Sequence, residues 1–498
     1  MSINYQKLEQ RFEKIGRLEN IINILNWDMA CNIKKGSQES RALEIIDLTQ
    51  IIKKLLTSQE TKNLLLQTQQ EQETLNSWQQ ANLREITSKI QSEEIIPEEL
   101  QNNLILATTK SEIMWRQAKK NNDYNSFKPY FQKVLNYTKE VANLRSQKLG
   151  VSLYDALIDQ YDPGMTATKI KQIFNVIKEK LPPLMKTILQ KQEQEKHLYK
   201  DIAMTLENQK KLNQIIMPKI GFDCNYGRLD ESIHPFCGGT PYDVRLTSNY
   251  NANNFLDSFL ATIHEVGHGL YAQNLPQQYK NQPVGTPRSF SFDESQSLLM
   301  EKQVAKSQEF LTYLVNILKT ELNFYNPSLT PQNLFKQANQ VKPDFVRIYA
   351  DEVTYPFHVI LRFEIEELLI SDQLSLDDLP HFWNCKMKEY LGITPPNVGL
   401  GCLQDIHWPQ GSFGYFPSYL NGAILASMIM KNVQKANPNI KEGFETGKFE
   451  TLNQYLDQKI RNWGSFYTNQ EFVFKATGMP QINPETFLQY LENKYLNN

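Results

Sequence analysis

Two imidazoles and a carboxylate share one short segment, Thr262-Ile263-His264-Glu265-Val266-Gly267-His268-Gly269. Residues four apart on an α-helix lie one above the other, so His264 and His268 aim at one point with Glu265 beside them. That arrangement suits a divalent metal held by two histidines, with a carboxylate placed to act as general base. It is the H-E-x-x-H pattern of metal-dependent peptidases. With seven histidines and 55 acidic residues in 498 positions, chance produces such a match in about one chain in a hundred. Two partner-satisfied histidines on a core helix are the bland alternative.

A catalytic metal needs a third protein ligand and one open position. Glu294 follows His268 at a distance that leaves room for a loop and a returning helix. Asp293 and Glu301 compete with it, and Glu301, on the same helical face as Glu294, suits a supporting role behind the ligands. A third histidine at the metzincin position is excluded, because Asn274 stands there.

The elements that must position these groups follow from periodicity. Phe255, Phe259, Ile263, Val266 and Leu270 form an apolar face beside the histidine face. Asn253 or Asn254 caps the start of this helix, and Pro276 lies past its end. Gly267 and Gly269 each cost a helix interior up to about 1 kcal/mol, tolerable where another backbone or a substrate must come close. Residues 221–250 lack helical period and read as a small antiparallel sheet before the metal helix. Such a strand pairs with an extended peptide or merely closes the core. A second helix runs through Leu298, Leu299 and Val304. Within 343–369, Arg347, Asp351, Thr354, His358 and Arg362 form a polar stripe on one helix that Pro356 is expected to kink. The stripe reads as a cleft wall or as a buried ion-pair network. Residues 399–422 form a long loop rich in glycine, proline and aromatics, with Gln404, Asp405, His407, Trp408, Tyr415 and Tyr419 as donors and walls.

Residues 1–215 read as helix after helix, without a linker that would mark a domain boundary. The expected architecture is mainly α, a single catalytic domain over 1–498. It comprises a helical part (1–215), the small sheet (220–252), the metal-binding helices (253–310), and the groove wall with C-terminal helices (343–498). A net charge of −2 with mixed signs argues against nucleic acid or an anionic membrane as partner. No apolar run approaches a membrane span, and the charged N-terminus has no signal-peptide core. The five cysteines are scattered, without a Cys-x-x-Cys pair, which suits a reducing compartment and a cytoplasmic protein.

At this point the chain resembles the carboxypeptidase Taq family of metal-dependent carboxypeptidases. The resemblance rests on His234-Pro235-Phe236, Asp243-Val244-Arg245-Leu246-Thr247, the His264–His268 segment and Glu294-Ser295-Gln296. It extends to Arg347 with Ala350-Asp351, and to the run from Gly401 through Gln404, Asp405 and His407 to Trp408. Weaker likeness covers nearly the whole chain. The resemblance implies a helical single-domain fold with a deep central groove, a homodimer, and one zinc or cobalt ion. It further implies removal of single residues from peptide C-termini, with broad side-chain tolerance. Carried over by position, His264, His268 and Glu294 hold the metal and Glu265 is the catalytic carboxylate. The chain also departs from the family pattern. Asp293 stands where a histidine is usual, Leu298 and Met300 replace an arginine and a tryptophan, Asn249 an arginine, and Tyr349 a glutamate.

The expected chemistry is metal-assisted hydrolysis, with Glu265 moving the proton and His407 or Tyr419 donating to the scissile carbonyl. An exopeptidase must also recognise a terminal carboxylate, best done by arginine. Arg347 is favoured, Arg362 is an alternative or a groove-closing partner, and Arg245 is the weakest candidate. His234 joins the substrate-binding set. A non-catalytic metal- or peptide-binding protein, and an endopeptidase on the same site, remain open alternatives.

Overall fold

The computed structural model describes residues 2–194, 202–232 and 234–497. From Ile3–Cys31 to Leu206–Lys219, helix follows helix. The breaks fall at residues that favour turns, around Gly36-Ser37, at Pro97 ahead of the helix Glu98–Asn121, and at Asp162-Pro163-Gly164. Tyr5, Leu8, Phe12, Ile52 and Leu56 close the first helices on each other in a small cluster. The main core takes side chains from Trp115 to Leu491. Among the described residues, no helix is long and apolar enough to cross a membrane.

Three short strands interrupt the helices: β1 (Gly227–Glu231), β2 (Cys237–Thr240) and β3 (Asp243–Ser248). β2 and β3 pair antiparallel, Cys237 opposite Leu246, whereas β1 pairs with β3 in parallel, Gly227 opposite Val244. The sheet is therefore mixed, in the order β1-β3-β2, where the sequence suggested an antiparallel one. The cause lies in the link after β1. Thr247 Oγ1 accepts from Ser232 Oγ at 2.8 Å and from Phe236 N at 2.9 Å, which holds the link across the end of β3 and leaves β3 central.

Val244 and Leu246 of β3 are fully buried, and Leu246 packs with Phe222 against Gly269 of the histidine helix, Phe255–Gln273. That helix begins where the Asn254 side chain accepts the Asp257 amide. The helix carrying Glu294, Phe290–Leu298, begins where Ser289 Oγ accepts the Phe292 amide. It passes into a π-helical stretch, Leu299–Ala305, a geometry that favours functional sites. Buried Asp162 accepts from the Ser291 amide and from the hydroxyls of Ser291 and Ser418. It thereby ties the Glu294 helix to the helix Pro417–Ala436.

Residues 343–369 are not one kinked helix. Arg347–Tyr349 form a single 3₁₀ turn. Asp351 then accepts the amides of Val353 and Thr354 at 2.9 and 3.0 Å, and the helix Tyr355–Ile370 starts with Pro356 in its first turn. Proline lacks the N–H that a first turn leaves unpaired, so here it opens a helix and bends none.

Gly267 is the tightest point between the histidine helix and the Glu294 helix. A Cβ there would lie 2.5 Å from Ser297 Cα and 2.6 Å from Gln296 O, so both neighbours are backbone. Gly267→Ala is expected to destabilise the apo protein by about 1–3 kcal/mol and to weaken metal binding with it. Gly36→Ala, where nothing lies within 4 Å, is the control and should stay within about 0.5 kcal/mol. Denaturant unfolding of both variants checks this.

Candidate metal centre

His264 and His268 face one direction with ring centroids 5.1 Å apart. Nε2 of His264 lies 3.8 Å from Glu294 Oε1, and Nε2 of His268 lies 3.5 Å from Glu294 Oε2. One ligand atom from each of the three falls within 4.8 Å of the others. The far side of each ring is backed by a carboxylate. His264 Nδ1 is 3.0 Å from Glu301 Oε2, and His268 Nδ1 is 3.1 Å from Asp293 Oδ2, close but off the line of a hydrogen bond. A carboxylate behind Nδ1 keeps the proton there and leaves the Nε2 lone pair for a metal. Two imidazole nitrogens and one carboxylate oxygen, with no thiolate, fit a catalytic divalent ion.

The charges respond to this crowding. Burial works against an imidazolium at His264, but Glu294, Glu301 and Glu265 outweigh it and hold the ring above its ordinary pKa. Asp293 and Glu294 do the same for His268, further. Burial raises Glu294, and the two imidazoles pull it back below its usual range. Glu265 ends above its usual range, because burial outweighs the neighbouring rings. A carboxylate so placed accepts a proton readily, as a general base must.

A cleft of about 2000 Å³ opens over these groups, and Arg347, Asp405, His407, Tyr419 and His234 also line it. Arg347 and Arg362 meet on one carboxylate of the chain itself. Arg347 Nη2 lies 3.0 Å from Asp405 Oδ1, and Arg362 Nη2 lies 2.5 Å from Asp405 Oδ2. The end of the 3₁₀ turn at Arg347 and the new helix start bring the two arginines together, which four turns of continuous helix would have prevented. Arg362 is fully buried, with its other donors on His358 O and Gln404 Oε1, and it stands behind Asp405, outside the cleft lining. Arg347 keeps its place in the wall, its guanidinium over the Tyr419 ring at 4.8 Å. Burial and Arg347 depress His407 to about 3, so it is neutral, with Nε2 3.1 Å from the Tyr419 hydroxyl. Arg245 is taken by Asp243 at 2.7 Å and by the Trp27 ring.

His234 is exposed where it lines the cleft. Leu298 and Asn249 line the cleft, Tyr349 is largely exposed, and Met300 is buried in the core. Two positioning residues escaped the sequence reading. Asp162 looked like a turn residue, and only its buried contacts to Ser291 and Ser418 reveal its role. Glu366 accepts from Tyr154 Oη, Trp408 Nε1 and Gly414 N at 2.7 to 2.8 Å. It anchors the 399–416 loop, and burial lifts its carboxyl to about 7. Its place four residues after Arg362, continuing the row of His358 and Arg362, was the available signal.

Comparison with known proteins agrees with this geometry. The family model for the Carboxypeptidase Taq (M32) metallopeptidases matches residues 7–495. The chain is 32% identical over 492 residues to thermostable carboxypeptidase 1 of Pyrococcus furiosus, covering 98% of this chain and 97% of that one. It is 30% identical over 486 residues to carboxypeptidase 1 of Bacillus subtilis, covering 97% and 96%. Among solved structures, Trypanosoma cruzi metallocarboxypeptidase 1 superposes with a TM-score of 0.96 at 33% identity, covering 99% of each chain.

The arrangement predicts a graded response of metal affinity. Glu294→Ala removes a donor and should leave the protein largely metal-free after dialysis. Glu301→Ala and Asp293→Ala leave all three donors but free the rings, for a loss of about 10- to 100-fold. Chelator competition with elemental analysis measures both. Full metal in Glu294→Ala protein alongside loss in Asp293→Ala would reverse the assignment.

Proposed function

The chain belongs to the carboxypeptidase Taq (M32) metallopeptidase family and is a metallocarboxypeptidase, and from that premise we propose how its residues divide the work. It removes single residues from the C-terminus of peptides, with broad side-chain tolerance. His264, His268 and Glu294 hold one divalent metal, zinc before cobalt. The observation that carries this reading is one cleft lined by both the three-donor cluster and Arg347.

When bound, the metal supplies Lewis acidity to the scissile carbonyl and acidifies the attacking water. Glu265 takes the proton from that water and hands it to the leaving amine nitrogen. With the Nε2–H of neutral His407 donated to Tyr419 Oη, the Tyr419 O–H is left to donate to the carbonyl oxygen as negative charge develops. Arg347 receives the terminal carboxylate. Its Nε donates to Asp405 Oδ1, with Nη2 3.0 Å from the same oxygen, and Nη1 donates to Tyr355 Oη, which leaves N–H groups of Nη1 and Nη2 for the substrate. Asp405 and Arg362 hold the guanidinium in plane. His234 lies along the path of the peptide.

All five cysteines are free thiols, in keeping with a cytoplasmic enzyme. A homodimer completes the reading, and light scattering tests it.

Glu265→Gln should keep its metal and lose roughly 10²- to 10⁴-fold in turnover, because the amide takes no proton at neutral pH. Near-normal turnover of the metal-replete variant removes Glu265 from the role. Amidating the peptide C-terminus should suppress hydrolysis about ten- to a hundred-fold, and Arg347→Met should narrow that difference. Mass spectrometry of the products decides, since equal cleavage of acid and amide with internal fragments points to an endopeptidase.

A further inference from the structure

The metal chemistry does not use a second cationic group in the cleft wall. Lys302 Nζ sits 2.6 Å from Glu301 Oε1, while Lys306 Nζ reaches the same oxygen only at 3.9 Å. Beside them, Glu352 binds Lys494 and accepts from the hydroxyls of Tyr490 and Tyr495 at 2.9 and 2.8 Å. Three ammonium groups therefore share two carboxylates in a buried cluster.

One positive charge is left over, and it falls to Lys306. Glu301 already serves His264 and Lys302, and Glu352 already serves Lys494 and two phenols. Among the described residues, no carboxylate comes closer to Lys306 than 3.9 Å. Neighbouring Asp351 turns its oxygens to the amides of Lys342, Val353 and Thr354. Burial and the adjacent Lys302 pull the Lys306 ammonium down to about 8, the behaviour of a cation short of an anion. Lys302, Lys306 and Glu352 line the same cleft as Glu294 and Arg347.

A similar surplus exists at Arg347, since Arg347 and Arg362 share only Asp405. The cleft thus offers two separate positive charges, one on the guanidinium and one on the ammonium. We infer that Lys306, backed by Lys302, is a subsite for the side-chain carboxylate of an acidic C-terminal residue. The inference rests on the carboxypeptidase reading, in which Arg347 takes the terminal carboxylate. Glutamate or aspartate then neutralises both surpluses, whereas their amides, of nearly the same shape, neutralise one.

The test compares peptides that differ only in a terminal Glu or Gln, and Asp or Asn. For the metal-replete wild-type protein, kcat/KM should favour the acid over its amide isostere by about ten- to a hundred-fold. Calorimetric Kd values on Glu265→Gln protein should show the same preference without turnover. Lys306→Met should bring the Glu/Gln ratio toward one, and Lys306→Arg should preserve it. A wild-type ratio near one overturns the subsite. If Gln-ending free acids are still trimmed from the terminus, the carboxypeptidase reading stands without it. An equal loss for Glu and Gln in Lys306→Met overturns the side-chain assignment, and cleavage at internal bonds overturns both readings.

Discussion

The contact between two backbones at Gly267 is the constraint from which the metal site follows. Helical geometry alone sets the spacing of His264 and His268, but it says nothing about where a third donor stands. That is decided by how closely the Glu294 helix approaches, and Gln296 and Ser297 come to a distance that excludes even a methyl group. Gly422 repeats the device on the other side, where a Cβ would meet Glu294 Cβ at 2.8 Å. Glu294 is thus gripped between two helices at points where neither carries a side chain, and its carboxylate has little freedom to swing away. Small residues near metal ligands here serve distance, and their helix-propensity penalty is offset by packing.

Charge is handled by the same economy of position. Almost every buried ion in the centre has a partner of opposite sign within hydrogen-bond reach. Glu301 links His264 to Lys302, Asp405 joins two arginines, and Lys494 joins Glu352. Isolated ions of this kind would be too costly to bury. The clusters also orient what they neutralise, since a carboxylate behind an imidazole fixes its tautomer and a carboxylate beside a guanidinium fixes its plane. The π-helical stretch after Leu298 belongs to this pattern, because Glu301 leaves it to reach His264.

Much of this was legible in the residues. The histidine pair, its cap, its apolar face and the break before Pro276 all obey local rules, and so does the run of N-terminal helices. What the sequence hid is long-range. Whether β1 joins a sheet in parallel depends on Thr247 holding a link eleven to fifteen residues away in sequence, and no period of two reveals that. Pro356 illustrates a different limit. The polar stripe from Arg347 to Arg362 fits a helix throughout, and only the side chain of Asp351, closing on later amides, shows that the helix begins after it. The two arginines read as alternatives for a substrate carboxylate, too far apart on one helix to share it, yet they meet on the carboxylate of Asp405. Asp162 gave no sign in the sequence and Glu366 only its place after Arg362, because a buried acid declares its role through the donors around it.

On the proposed reading, in which Arg347 alone touches substrate, the division between Arg347 and Arg362 gives an exopeptidase cleft a reason to employ two arginines. A lone guanidinium in a buried wall carries a heavy desolvation cost and free rotamers. Pairing it with Asp405 alone would hold it still, but would also cancel the charge a terminal carboxylate must meet. Adding Arg362 behind the same aspartate restores a net positive charge while keeping Arg347 fixed by geometry. Asp405 is accordingly held well below the usual carboxylate range by the arginines on both sides. His407, between the arginines and Tyr419, is kept neutral by the same field, so it offers hydrogen bonding without a further charge. Fixed dipoles and one uncompensated cation need little reorganisation when a peptide end arrives, and such preorganisation lowers the cost of recognition.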